Sequence, residues 1–174
     1  MLIYVGWVFA VLIAWYLLSW SSYWFALFGP GGVLLKTGKL LSLGRKYVAQ
    51  GKYDRALQCF RVPLEAWKDK VLQQSGEDGR QLLSFMAVEA AVAASGGGQK
   101  PYEGLLWALD AVNYWPEYAK AHEVLGRLHL AMGKKKEALD ELRTAIRLNA
   151  ASDEPDPGIS AGIEGLAEER GLSL

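Results

Sequence analysis

Cysteine is nearly absent. Cys59 is the only one in 174 residues, which excludes an intrachain disulfide, a zinc knuckle and a CxxC redox pair. Histidine is almost as scarce: His122 and His129 stand two helical turns apart, about 10.5 Å along a helix axis and too far to share a metal. Nucleotide-binding glycine patterns are missing as well. Residues 29–32 and 96–98 are glycine-rich but lack a strand–turn–helix setting, and no Walker lysine follows. Glu164, Glu168 and Glu169 read as a solvated helix face rather than an acid–base pair, and Cys59 as a small hydrophobe beside Phe60. No constellation supports catalysis. The chain is therefore expected to be no enzyme, to need no cofactor or metal, and to take neither nucleic acid nor a small-molecule substrate.

Charge is missing from one region and skewed in the others. Lys+Arg and Asp+Glu balance at 19 each, yet residues 1–35 contain none of them. Residues 36–61 hold Lys36, Lys39, Arg45, Lys46, Lys52, Arg55 and Arg61 against the single acid Asp54. After residue 151 the order reverses, with Asp153, Glu154, Asp156, Glu164, Glu168 and Glu169 against Arg170.

The uncharged run over residues 2–28 exceeds the ~20 apolar residues that span a bilayer core, and Tyr4, Trp7, Trp20, Tyr23 and Trp24 stand where interfacial aromatics would. It predicts a transmembrane helix over 1–28. An uncleaved anchor is expected rather than a signal peptide, because no basic n-region precedes the run and 25–28 is a poor cleavage site. The basic flank then places the N-terminus out and the remainder cytoplasmic in a single-pass membrane protein. Gly6, Ala10 and Ala14 recur every fourth residue, a small-residue face for packing on another helix. Residues 29–36, with Gly29-Pro30-Gly31-Gly32, read as a hinge.

Beyond the hinge, glycine turns separate helical stretches. In residues 119–150, Leu125-Gly126 is followed by a turn at Gly133 and then by Ala138, Leu142 and Ala145. The same frame returns earlier as Leu43-Gly44, Tyr47, Gly51, Tyr53, Ala56 and Phe60, and in part as Ala108, Ala111 and Pro116. This pattern resembles the tetratricopeptide repeat (TPR). The resemblance implies an all-α chain with an α-solenoid of about three helical hairpins over 37–150 (37–75, 80–116 and 117–150). Gly44 and Gly126 are separated by two ~34-residue periods with length to spare. The excess is expected in the first repeat, where Pro63 should kink a helix extended through Leu64, Trp67, Val71 and Leu72 until a loop at 75–79. Residues 151–174 read as an acidic linker and a short capping helix bearing Ile159, Ile163 and Leu166.

In such arrays the first helix of each repeat lines a concave groove for peptides or partner helices. Carried over by frame, the groove positions are Leu41, Arg45, Met86, Glu89, Lys120, Glu123 and Arg127. Some family members clamp chaperone C-termini with lysines, asparagines and an arginine. Only Lys120 matches; Leu41, Arg45, Ala90 and Val124 occupy the other places. The resemblance implies a scaffold or adaptor with protein partners. Joined to the apolar run, it implies an assembly factor or accessory subunit of a membrane protein complex, in contact with the lipid bilayer. The alternative is an extracytoplasmic (periplasmic) repeat protein of envelope, secretion or pilus assembly.

Overall fold

The computed structural model describes residues 30–96 and 100–173. The chain divides into two compact units, Met1–Lys39 and Leu40–Leu174. The described part of the first is the opening of helix α1 (Pro30–Ala49), and the remaining helices all belong to the second. After α1 come α2 (Tyr53–Ala66), α3 (Lys68–Ser95), α4 (Pro101–Tyr114), α5 (Ala119–Ala131), α6 (Lys135–Ala151) and α7 (Pro157–Arg170). The described residues contain no strand, in keeping with the all-α expectation.

No helix among the described residues is long and apolar enough to cross a membrane. That finding corrects the expected single-pass protein with its N-terminus out and its repeats cytoplasmic. The helix nearest the basic flank, α1, carries Lys36, Lys39, Arg45 and Lys46, too many charges for a hydrocarbon core. The predicted span over 1–28 and its packing face of Gly6, Ala10 and Ala14 lie outside the described residues. The expected hinge over 29–36 is instead helical from Pro30 onward.

The hairpin turns repeat one device. Gly51 (φ +69°) and Gly133 (φ +78°) both adopt the left-handed conformation that glycine enters without a Cβ penalty. In the first turn Gly51 N–H donates to the Val48 carbonyl at 2.9 Å and Lys52 N–H to the Tyr47 carbonyl at 2.9 Å. In the last, Gly133 donates to Leu130 at 3.0 Å and Lys134 to His129 at 2.9 Å. Both are Schellman closures, which satisfy the carbonyls left over at a helix C-terminus.

Small residues set how closely the helices approach. A Cβ on Gly44 would strike the ring of the fully buried Phe60, and one on Gly126 would lie 2.8 Å from Leu142. The middle hairpin reverses this arrangement. Its close approach comes from Gly104 on α4, where a Cβ would meet the Ala91 carbonyl oxygen at 3.0 Å. Around it α3 buries Ala87, Ala90, Ala91, Ala93 and Ala94, and this helix packs on α2, α4 and α5. Leu83 and Met86 fill the centre, each contributing roughly 1.5–3 kcal/mol by burial.

The extra length of the first repeat takes a different form from the expected long helix and loop. Helix α2 runs one turn past Pro63 and stops at Trp67, whose N–H donates to the Pro63 carbonyl. Helix α3 then starts at Lys68 and breaks once, at Gly76 (φ +50°, ψ −118°), a backbone conformation that glycine adopts at little cost. The reversal is tight: a Cβ on Gly79 would lie 2.7 Å from the Val71 carbonyl oxygen. At the other end, α7 packs Ile159 and Ile163 against Ala119, Leu142 and Ala145 and so covers the last hairpin.

Candidate interaction cleft

Helices α1, α3 and α5 and the α6–α7 connection enclose an open cleft of about 580 Å³. From α3 it receives Phe85, Val88, Glu89 and Val92, which share one face of the helix; from the α4–α5 turn it receives Trp115, Glu117 and Tyr118. Trp115 and Tyr118 stack with centroids 4.9 Å apart and planes 10° from parallel, and Phe85 lies 6.4 Å from Tyr118. Three aromatic rings therefore form much of the apolar surface.

Two ion-pair groups frame these rings. Arg45 bonds Glu89 Oε1 through Nε at 2.8 Å and Nη2 at 2.7 Å, while its guanidinium sits 4.6 Å from the centroid of Phe85. The Arg45 side chain is 50% exposed, so water screens the pair and its role is chiefly to place the two groups. Glu123, with 3% of its side chain exposed, receives Arg127 Nε on Oε1 at 2.8 Å. Lys120 Nζ approaches Oε2 at 2.6 Å but off the direction of a hydrogen bond, leaving that buried oxygen without an aligned donor. A buried carboxylate needs such cations to offset its desolvation.

The wall on the α7 side is built by Asn149. Its Nδ2 donates to the Asp156 carbonyl at 2.9 Å and to Ser160 Oγ at 3.1 Å, and its Oδ1 accepts from Asp156 N–H at 2.9 Å. Asp156 caps α7 by accepting from Gly158 N–H at 2.8 Å, with Pro157 in the first helical position. Residues 152–156, which read in the sequence as a linker, are thereby held in place, with Ser152, Glu154 and Asp156 lining the cleft.

The α4–α5 turn has its own anchor in His122. Its Nδ1 lies 2.6 Å from Glu141 Oε2 and its Nε2 lies 2.8 Å from the Pro116 carbonyl. A carboxylate and a carbonyl only accept, so the imidazolium, which donates from both nitrogens, is the form that satisfies both partners. Burial pulls its pKa down. The hydrogen bonds to Glu141 and Pro116, with the charge of Glu141, outweigh burial and the repulsion of Arg147, and raise it above the usual 6.5. A raised folded-state pKa gives stability that is full below the unfolded value and lost as pH rises through the folded one. Urea midpoints measured between about pH 5.5 and 9 should therefore fall on the alkaline side, and His122→Gln should flatten that fall. Equal pH slopes in the two proteins would rule the account out.

Of the residues expected in the groove, Arg45, Glu89 and Lys120 line the cleft. Glu123 is buried. Arg127 turns toward α7 and donates to the Gly162 carbonyl at 3.2 Å. Leu41 is half-buried on α1 and does not line the cleft. Met86 is fully buried in the core, and its neighbour Phe85 stands at the cleft instead. Glu89, placed by the same frame, does line the cleft, so on α3 the difference is confined to Met86, which faces the core. Ala90 and Val124, at two of the clamp positions, are buried too. Trp115, Tyr118 and Asn149 carry no repeat signature that marks them in the sequence; Asp156-Pro157, a capping residue before a first-turn proline, was the signal that a fixed helix start followed. Among the described residues no group of three or more His, Cys, Asp or Glu could hold a metal.

No family model matches the chain, and no curated protein does. Solved structures are similar to it. The TPR domain of Sgt2 from Aspergillus fumigatus is 20% identical with a TM-score of 0.56, covering 78% of this chain and 79% of that one. The second TPR of Spaghetti (RPAP3), bound to the HSP90 peptide SRMEEVD, is 19% identical with a TM-score of 0.51, covering 68% and 98%. At that identity the likeness is one of fold: the described chain is folded as a TPR-type array.

Proposed function

We propose that the unit Leu40–Leu174 is a protein-interaction module, a scaffold or adaptor that takes a segment of a partner protein into the cleft between α1, α3, α5 and the α6–α7 connection. The observation that carries this reading is the aromatic cleft itself, with Phe85, Trp115 and Tyr118 brought together from two elements on a rigid helical frame. Aromatic side chains supply large contact area at low entropic cost and recur at interaction hot spots. The Spaghetti (RPAP3) domain holding a peptide on the same fold supports the reading. Arg45, Glu89 and Lys120 form the polar edge that would orient the bound segment.

The test is selection of an unbiased peptide library on the full chain, followed by affinity measurements on two variants. Tyr118→Ala removes the central ring, and Val92→Trp fills the cleft from α3. Each should weaken selected peptides by about tenfold or more, the effect of losing one hot-spot contact, with helical content preserved by circular dichroism. Selected peptides that bind both variants as tightly as the parent would place the interaction elsewhere.

A further inference from the structure

The charges around the cleft do not cancel. Arg45 and Lys120 line it on the basic side, against Glu89, Glu117, Glu154 and Asp156 on the acidic side. Both cations are already committed: Arg45 to Glu89 and Lys120 to the buried Glu123. Among the described residues, Glu117, Glu154 and Asp156 have no cation within ion-pair distance. Asp156 spends one oxygen on the Gly158 N–H and keeps the other. These carboxylates stand beside the stacked rings of Trp115 and Tyr118, whose faces carry the negative part of the aromatic quadrupole.

We propose that the cleft selects a basic segment, an arginine or lysine of the partner lying against the Trp115–Tyr118 stack with its charge answered by Glu117, Glu154 and Asp156. This rests on the proposed docking of a partner segment in the cleft and adds the chemistry of the occupant. Cations are attracted to aromatic faces, and more strongly as water is excluded. Nearby carboxylates supply the longer-range attraction that steers a charged partner.

The wall is organised in advance for this task. Asn149 holds the Asp156 backbone by two hydrogen bonds and Ser160 Oγ by a third, so the carboxylate on 156 needs little ordering when a ligand arrives. Tyr118 presents a neutral phenol to the cleft. Burial raises its phenol, and the charges of Glu89, Asp156 and Glu123 outweigh Arg45, so that it reaches about 12; the hydroxyl stays protonated and neutral. An acidic segment would meet the three unpaired carboxylates. Gaining a cation would require breaking Arg45 from Glu89 or Lys120 from Glu123, and the second would strip a buried carboxylate of part of its compensation. An apolar segment would use the rings and ignore the charges, which the experiment separates.

The experiment uses the full chain and a matched set of fluorescein-labelled peptides with Arg, Gln or Glu at the same alternating positions, read by anisotropy. The Arg peptide should bind about tenfold or more tightly than the Gln peptide, the Glu peptide should bind weakest, and the preference should shrink between about 50 and 300 mM salt. Glu117→Lys with Glu154→Lys should abolish the Arg preference. Glu164→Lys with Glu168→Lys changes net charge equally on the exposed side of α7 and should leave it intact. Gln or Glu peptides binding as well as Arg peptides would overturn the charge assignment while leaving docking in place. So would equal effects of the two reversal pairs. If neither these peptides nor any from the library bind the cleft, the docking reading falls and takes this one with it.

Discussion

Phe60→Ala is expected to cost about 3–5 kcal/mol of stability, the usual range for emptying a fully buried aromatic site. Phe60 is 0% exposed on α2, and its ring fills the space that Gly44 leaves open on α1. Alanine would leave a hole that α1 cannot close, because Gly44 offers no side chain with which to fill it. For a unit of this size the loss corresponds to a fall in Tm on the order of 10 °C or more. Arg55→Ala, on an exposed position of the same helix, should stay within about 0.5 kcal/mol. The effect should also reach the cleft, since α1 holds Arg45 over Phe85 and against Glu89. Thermal melts and hydrogen exchange over residues 40–49 check both points. A loss below about 1 kcal/mol would mean that the first hairpin is not held by this contact.

The contacts that were legible in the sequence are those whose cause is local. A left-handed glycine ends a helix wherever it falls, so Gly51 and Gly133 announced the first and last turns. The Leu-Gly pairs at 43–44 and 125–126 located two of the close helix approaches. In the middle hairpin the small residue moved to the opposite helix: Gly104 lies one 34-residue period before Ala138 and takes the close-packed place. Without a glycine on α3 to mark the close approach, nothing local separates its core face from its cleft face: Met86 is completely buried, while Phe85 and Glu89 line the cleft. The breaks at Trp67 and Gly76 were harder to read, because Pro63 suggested a kink one turn before the helix ended. The least legible parts are those made by long-range bonds. Nothing local ties His122 to Glu141 or Asn149 to Asp156, yet those bonds hold the turn with Trp115 and Tyr118 and the acidic wall. Composition marked residues 151–158 as a linker; Asn149, with its side chain buried in front of them, made them part of the site.

Gly126→Val should be the counterpart of the Phe60 experiment at the far hairpin, overfilling a contact rather than emptying it. A Cβ there would lie 2.8 Å from Leu142 and 3.2 Å from the Ala138 carbonyl oxygen, and Leu142 is 0% exposed with nowhere to move. Overpacking of this kind costs about 1–3 kcal/mol or more, and valine recovers only part of that through better helix propensity than glycine. The backbone oxygen matters most, since it can withdraw only if α6 moves away from α5 and carries the surface on which α7 rests. Combining Gly126→Val with Leu142→Ala should therefore be less destabilising than the sum of the single changes by about 1 kcal/mol or more, the coupling expected of residues in contact. Gly165→Ala provides the opposite sign on the same fold. That glycine lies within α7 with nothing within 4 Å of a new Cβ, so alanine should add up to about 1 kcal/mol by helix propensity alone. If both substitutions shifted the urea midpoint the same way, close packing at Gly126 would not be what holds α5 to α6.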